Sequence, residues 1–141
     1  MSYFRSYRTL APGFALLALM LLGCGQKGPA TATVSGTIKL NGEPVEGAVV
    51  LFQPVGEGRS SRGLTDANGR YTLTYVAGQN GALIGEHIVS VSKSKKRIVD
   101  DNGNVVDPGE PEIFPPSANS QSELKANVVR GSNTFDFDIK N

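Results

Sequence analysis

The sequence predicts an all-β chain, an antiparallel seven-stranded β-sandwich, on three observations. Past residue 24, apolar and polar side chains alternate with period two over short stretches. Turn signals rich in Gly, Asn and Asp separate those stretches. No segment past Cys24 carries a helical period. The length of 141 residues suits one domain. A single Cys excludes an intramolecular disulfide and a Cys-rich zinc site, and a single His excludes chemistry that needs two imidazoles. With 14 basic against 13 acidic side chains, no nucleic-acid partner is expected.

The first element is a targeting segment over residues 1–23. Arg5 and Arg8 open it without any acid, and Gly13 to Leu22 follow as an uncharged apolar run. This basic-then-apolar layout is that of a cleavable secretory signal peptide. The run is well short of the roughly 20 residues that a membrane-spanning helix requires. Leu21-Leu22-Gly23-Cys24 resembles a bacterial lipobox, with cleavage between Gly23 and Cys24 and a covalent lipid on the Cys24 thiol. The plainer alternatives are an ordinary signal peptide with an incidental Cys, or an uncleaved anchor. The lipid is the only prosthetic group the sequence suggests; no other cofactor is expected. Cleavage leaves 118 residues and removes two of the 14 basic side chains, so the exported body is slightly acidic. Residues 24–32, the lipidated Cys and a Gly-, Pro- and Ala-containing stretch, read as a flexible tether.

Residues 33–141 form the sandwich. Val34, Gly36, Ile38 and Leu40 alternate with Ser35, Thr37 and Lys39 in the first strand. Asn41-Gly42 supplies the positive φ angles of a tight hairpin turn. Ala48 to Phe52 is almost wholly apolar, as a central strand is, and Arg59 to Thr65 is a weaker strand. Asp66-Ala67-Asn68-Gly69 turns the chain into a fourth strand, in which Tyr71, Leu73 and Tyr75 share a face. His87, Val89 and Val91 mark the inward face of the fifth, and Leu124, Ala126 and Val128 that of the sixth. Arg130 to Asn133 turns into the seventh, where Phe135, Phe137 and Ile139 alternate with Asp136 and Asp138. A proline-rich acidic loop at about 98–123 breaks this rhythm, with Asp100, Asp101, Asp107, Glu110, Glu112 and prolines 108, 111, 115 and 116. Loops of that length are usually functional or disordered.

The order of these residues resembles carboxypeptidase regulatory-like domains. Val34-Ser35-Gly36-Thr37-Ile38 followed by Asn41-Gly42-Glu43-Pro44-Val45-Glu46-Gly47-Ala48 resembles their opening. Thr65-Asp66-Ala67-Asn68-Gly69-Arg70-Tyr71 and Gly85-Glu86-His87-Ile88-Val89-Ser90-Val91 resemble their second and third signatures, with His87 where many relatives carry Tyr. The ending, from Ser122 to Phe137, is similar to that of small lipoproteins abundant in planctomycete-type bacteria. The resemblance implies a transthyretin-like (prealbumin-like) sandwich serving as an accessory module rather than as an enzyme. The hydrolase branch of that fold uses more than one His and a Tyr-Arg-Gly-Ser tail; this chain ends Phe137-Asp138-Ile139-Lys140-Asn141.

No catalytic residue is expected. His87 falls in phase with Val89 and Val91 and reads as a core residue. Asp100, Asn102 and Asn104 have the oxygen spacing of a calcium loop, but Val105 stands where the loop requires Gly and Pro111 where it requires Glu, so they read as a solvated turn. Lys93, Lys95, Lys96 and Arg97 form a basic cluster, a candidate interaction surface or a protected strand end. The expected function is a non-catalytic, lipid-anchored module of the cell envelope with a structural or protein-interaction role. The expected address is the cell membrane or outer membrane, with the domain in the periplasm or at the cell surface. Its partners would be the membrane, through the anchor, and an envelope protein or glycan. The alternatives are a glycan- or small-ligand-binding accessory domain and, remotely, a transthyretin-related hydrolase.

Overall fold

The computed structural model describes residues 29–76 and 78–141. The expected signal peptide at 1–23, its expected cleavage site at Gly23 and Cys24, and residues 24–28 of the expected tether lie outside the described residues, whereas Thr31 and Ala32, the last residues of that tether, already belong to the first strand. The described chain is all-β and forms two six-stranded sheets that enclose one core, together with a separate two-stranded ribbon.

The axis of the first sheet is β1 (Thr31–Leu40). Ala32, Val34, Gly36 and Ile38 are buried along one of its faces, while Thr33 and Lys39 are exposed on the other. Asn41 (φ 51°) and Gly42 (φ 85°) reverse the chain into β2 (Glu43–Pro44), in the left-handed region this two-residue turn needs. Besides β2, the strands β5 (Arg70–Thr72) and β8 (Ala82–Leu83) pair with β1 antiparallel. The two last strands, β13 (Ser132–Thr134) and β14 (Phe137–Ile139), pair with it parallel. Ser35 is shared by Thr72 and Thr134, and Lys39 by Pro44 and Asp138, so β5 and β2 lie on one edge of β1 and β13 and β14 on the other. The antiparallel expectation therefore fails at one seam, where the two ends of the domain meet side by side. A parallel pair needs a long connection, and here almost the whole domain is that connection.

The second sheet is antiparallel throughout. Its order is β12 (Lys125–Val128), β9 (Gly85–Ser92), β3 (Val49–Pro54), β4 (Ser61–Leu64), β6 (Thr74–Val76) and β7 (Gln79–Asn80). The apolar run at 48–52 lands in the middle of this sheet, as its composition requires. Val34 and Ile38 of the first sheet meet Val50, Phe52, Val89 and Val91 of the second, all without solvent exposure. The Phe52 ring reaches across to Tyr71 and Phe135, with centroids 6.4 and 5.8 Å away.

Two elements depart from the alternation. Tyr71 to Tyr75 is not one strand, because the chain changes sheets at Leu73. The Leu73 N–H donates to Val34 O, and its carbonyl accepts from Gly81 N. As a result Tyr71 is buried but Tyr75 is only half-buried. Asn133, expected in the turn, belongs to β13. Its buried side chain accepts from Val129 N and donates to Val129 O and Thr33 O, closing the turn onto β1.

Gly36 explains how the first sheet fits together. It stands on the inward face of β1 with no side chain, and Tyr71, its partner on β5, covers the gap. The Tyr71 hydroxyl donates to Phe135 O at 2.7 Å, on the far side of β1. A Cβ on Gly36 would overlap Phe135 O and sit 2.8 Å from the tyrosine oxygen. Overpacking on this scale typically costs 1–3 kcal/mol and occasionally more, so Gly36→Ala is expected to destabilise the domain by about 3 kcal/mol or more. Tyr71→Phe leaves a carbonyl without its donor and is expected to cost about 1–2 kcal/mol. Urea unfolding of the two variants, with equal m-values, checks both.

Candidate functional site

The segment from Lys93 to Glu123 is the largest departure from a plain two-sheet body, and it is ordered by its own chemistry. It leaves β9 at Ser92, opposite Val49. The ribbon of β10 (Ile98–Val99) and β11 (Val105–Asp107) follows, then a 3₁₀ turn at Pro116–Ala118. One carboxylate organises the return. Glu112 Oε1 accepts from the backbone N–H groups of Lys93, Ile113 and Phe114 at 2.9, 3.0 and 3.1 Å, and Oε2 accepts from Asn119 Nδ2 at 2.8 Å. This aims Phe114 inward. Phe114 and Ala118 are buried in the core cluster, so the excursion plugs one end of the domain. Neither residue follows from a periodic pattern; the one available signal is that Phe114 is the sole aromatic of a proline-rich stretch.

The basic cluster divides. The Lys95 ammonium pairs with the Asp107 carboxylate across the base of the ribbon, and backbone bonds between Lys95 and Glu110 lie beside it. The bond from Lys95 and the Gly109 N–H hold Asp107 below the usual carboxylate range, and Lys95 is raised in return. Lys93 is half-buried, whereas Lys96 and Arg97 are exposed. Lys95 is thus committed to the ribbon, and Lys96 and Arg97 stand in solvent beside it.

Asp100, Asn102 and Asn104 come together as the turn of the ribbon. Asp100 Oδ1 accepts from Asn102 N and Asn104 N at 2.9 and 2.8 Å, and Oδ2 accepts from Asn104 Nδ2 at 3.0 Å. These bonds lower the Asp100 carboxyl. The carboxylate is occupied in closing its own loop, a local motif of Asp and Asn. Among the described residues, no group of three or more His, Cys, Asp or Glu side chains is placed to hold a metal ion.

His87 lies in the core, 1% exposed, with its ring 5.8 Å from that of Phe52. Its Nδ1 is 3.0 Å from Gly85 O, and a carbonyl only accepts, so Nδ1 carries the proton. Nε2 is buried without a partner, as is Ser61 Oγ. The two do not form a nucleophile–base pair: β3 runs between their strands, and no hydrogen bond joins them. Burial lowers the His87 pKa, opposed by the bond to Gly85. Grooves on the sheets themselves include two that carry charged side chains. One, of about 520 Å³, is polar and includes Thr37, Lys39, Asn68, Arg70, Asp136 and Asp138. The other, of about 360 Å³, includes Val55, Glu86, Ile88, Lys125 and Asn127.

No protein-family model and no curated protein matches the chain. Among solved structures, 77% of the chain is similar to 17% of a 9R-lipoxygenase from Cyanothece PCC8801, at 18% identity and a TM-score of 0.40. The chain therefore spans a small part of that enzyme, and a likeness at this level carries no functional argument.

A pH test follows from His87. Because its pKa is lowered in the fold, the unfolded chain binds the proton more readily. The stability linked to His87 is complete above its ordinary value of 6.5 and is lost as the pH falls through the depressed folded value. The melting temperature is expected to fall as the pH drops below about 6.5, and His87→Phe to flatten that slope. Thermal melts of both chains across this range check it.

Proposed function

We propose that the chain is a carboxypeptidase regulatory-like, transthyretin-like domain, exported and held at the cell envelope by a lipid on Cys24, with a non-catalytic interaction role. The anchoring rests on Leu21-Leu22-Gly23-Cys24 after a basic and apolar leader. Two facing sheets around one core are what such a sandwich requires. The observation that carries the interaction role is the excursion from Lys93 to Glu123. It is ordered through Glu112 and Phe114, yet it leaves Ile98, Val99, Val105 and Val106 between 47% and 67% exposed. Exposed branched aliphatics on a short ribbon are an interaction surface rather than a core.

A second reading, a glycan- or small-ligand-binding module, is favoured by the polar groove beside β1. There Lys39 and Arg70 stand with Asp136 and Asp138, a set of donors and acceptors suited to a polyhydroxylated ligand.

Cys24→Ala is expected to move the protein out of the membrane fraction, and the intact mass of the wild type to show acyl chains on Cys24. A variant retained in the membrane overturns the anchoring. The purified full chain is expected to give no hit on a glycan array. A hit abolished by Arg70→Ala would establish the second reading in place of the first.

A further inference from the structure

We infer that one end of the domain, formed by Val55, Ile84 and Val129, is a contact surface for the bilayer that holds the anchor, so that the excursion from Lys93 to Glu123 is presented away from the membrane. The inference rests on the lipidation of Cys24 and goes beyond it: a lipid on a tether does not by itself set how a domain sits.

Hydrogen bonds define the end in question. Ala30 O accepts from Ile84 N, and Thr31 and Ala32 pair with Leu83 and Ala82. Thr33 pairs with Ser132 and accepts from Asn133, whose side chain also holds Val129. Gly85 pairs with Val128, and Val55 N donates to Glu86 O. The chain thus enters the domain among Val55, Ile84 and Val129. These three aliphatic side chains are 63%, 38% and 54% exposed. Arg59 and Arg130, both exposed, follow close in sequence, and their long apolar stems suit a position beside headgroups.

The length of chain outside the described residues decides what covers this end. From Cys24 to Ala30 the chain spans at most about 20 Å even when fully extended. Strand β1 then runs about 30 Å away from that point at the usual rise per residue. At its far end lie Asn41, bonded to Ile139, and Val45 and Gly69, bonded to Ile38. In the second sheet that same end of the core holds Ser92 opposite Val49, where the excursion departs. A lipid on Cys24 therefore keeps the Val55, Ile84 and Val129 end near the bilayer, while the ribbon lies a strand length further out. Apolar side chains at that depth add to the hold of the acyl chains. The outer face of the first sheet offers no apolar side chain to a side-on pose, being lined by Thr33, Ser35, Thr37, Lys39, Arg70 and Thr72. Leu64, 63% exposed, lies on the second sheet opposite Val49 and reports the competing pose on that face.

The test uses the full lipidated chain, in which Cys24 is blocked and a new Cys is the sole free thiol. Val129→Cys, Leu64→Cys and Val106→Cys each receive an environment-sensitive fluorophore in vesicles of phosphatidylethanolamine and phosphatidylglycerol. Quenching by a lipid-borne nitroxide is expected to be several-fold stronger at position 129 than at 64 or 106, with aqueous iodide giving the reverse order. Equal quenching at 129 and 106, or quenching at 64 that matches 129, overturns the inference and leaves anchoring intact. An intact mass without acyl chains on Cys24 overturns both. Hydrogen exchange on the unsubstituted lipidated chain gives the same decision without a label. Vesicles should protect residues 128–131 and not 98–106, and the absence of that contrast overturns the inference.

Discussion

The domain depends on a close crossing at Gly36. A strand flanked on both edges must present a continuous inner face, yet β1 has a hole at its centre where Gly36 lacks a side chain. Tyr71 covers that hole and donates to the carbonyl of Phe135, which lies in the break between β13 and β14. One phenol thus ties an early, a middle and a late part of the chain, and the Phe52 ring packs against both aromatics from the other sheet. Burial pushes the Tyr71 hydroxyl far up, with Asp136 adding to the shift, so it remains a neutral donor. These contacts are all long-range, and the parallel seam between the first and last strands closes only when most of the domain is in place.

The two ends of the core are closed in different ways. At one end, the long connection between β9 and β12 folds back, and Glu112 gathers enough N–H groups to bring Phe114 and Ala118 inward. The Lys95–Asp107 pair staples the base of the ribbon, but an exposed ion pair contributes little to stability; it contributes shape. At the other end, Asn133 satisfies the backbone of its own turn and leaves Val129 facing out. The domain is therefore asymmetric along its strands, with a polar-stapled, apolar-tipped ribbon at one end and a cluster of exposed aliphatics beside the start of β1 at the other.

Much of this was legible from residue order. Strict alternation marked β1, β9 and β12 because a one-residue slip would turn their apolar side chains to solvent. Asn41-Gly42 marked its turn because those residues tolerate positive φ. His87 was placed in the core by phase alone. The strand at 71–75 misled because alternation reports which face a residue takes, not which sheet it joins, and Leu73 bonds to both sides of the crossover. Asn133 misled because its composition marks a turn, while its side chain closes that turn from within β13. The excursion resisted because Phe114 is positioned by Glu112 through contacts that have no period.

The sequence by itself determined an all-β body, the period of its strands and the chemistry of its tight turns, because these depend on neighbours one to four residues apart. It also placed the lone Cys just after an uncharged apolar run. Only the tertiary structure decided that the last strands run parallel to the first and that Tyr71 replaces the missing side chain of Gly36. It also decided that the acidic excursion adds Phe114 and Ala118 to the core, and that this excursion departs at the end of the strands opposite to the start of β1. Each of those outcomes joins residues far apart in the chain, where the deciding quantity is whether a particular volume is filled and a particular carbonyl finds its donor.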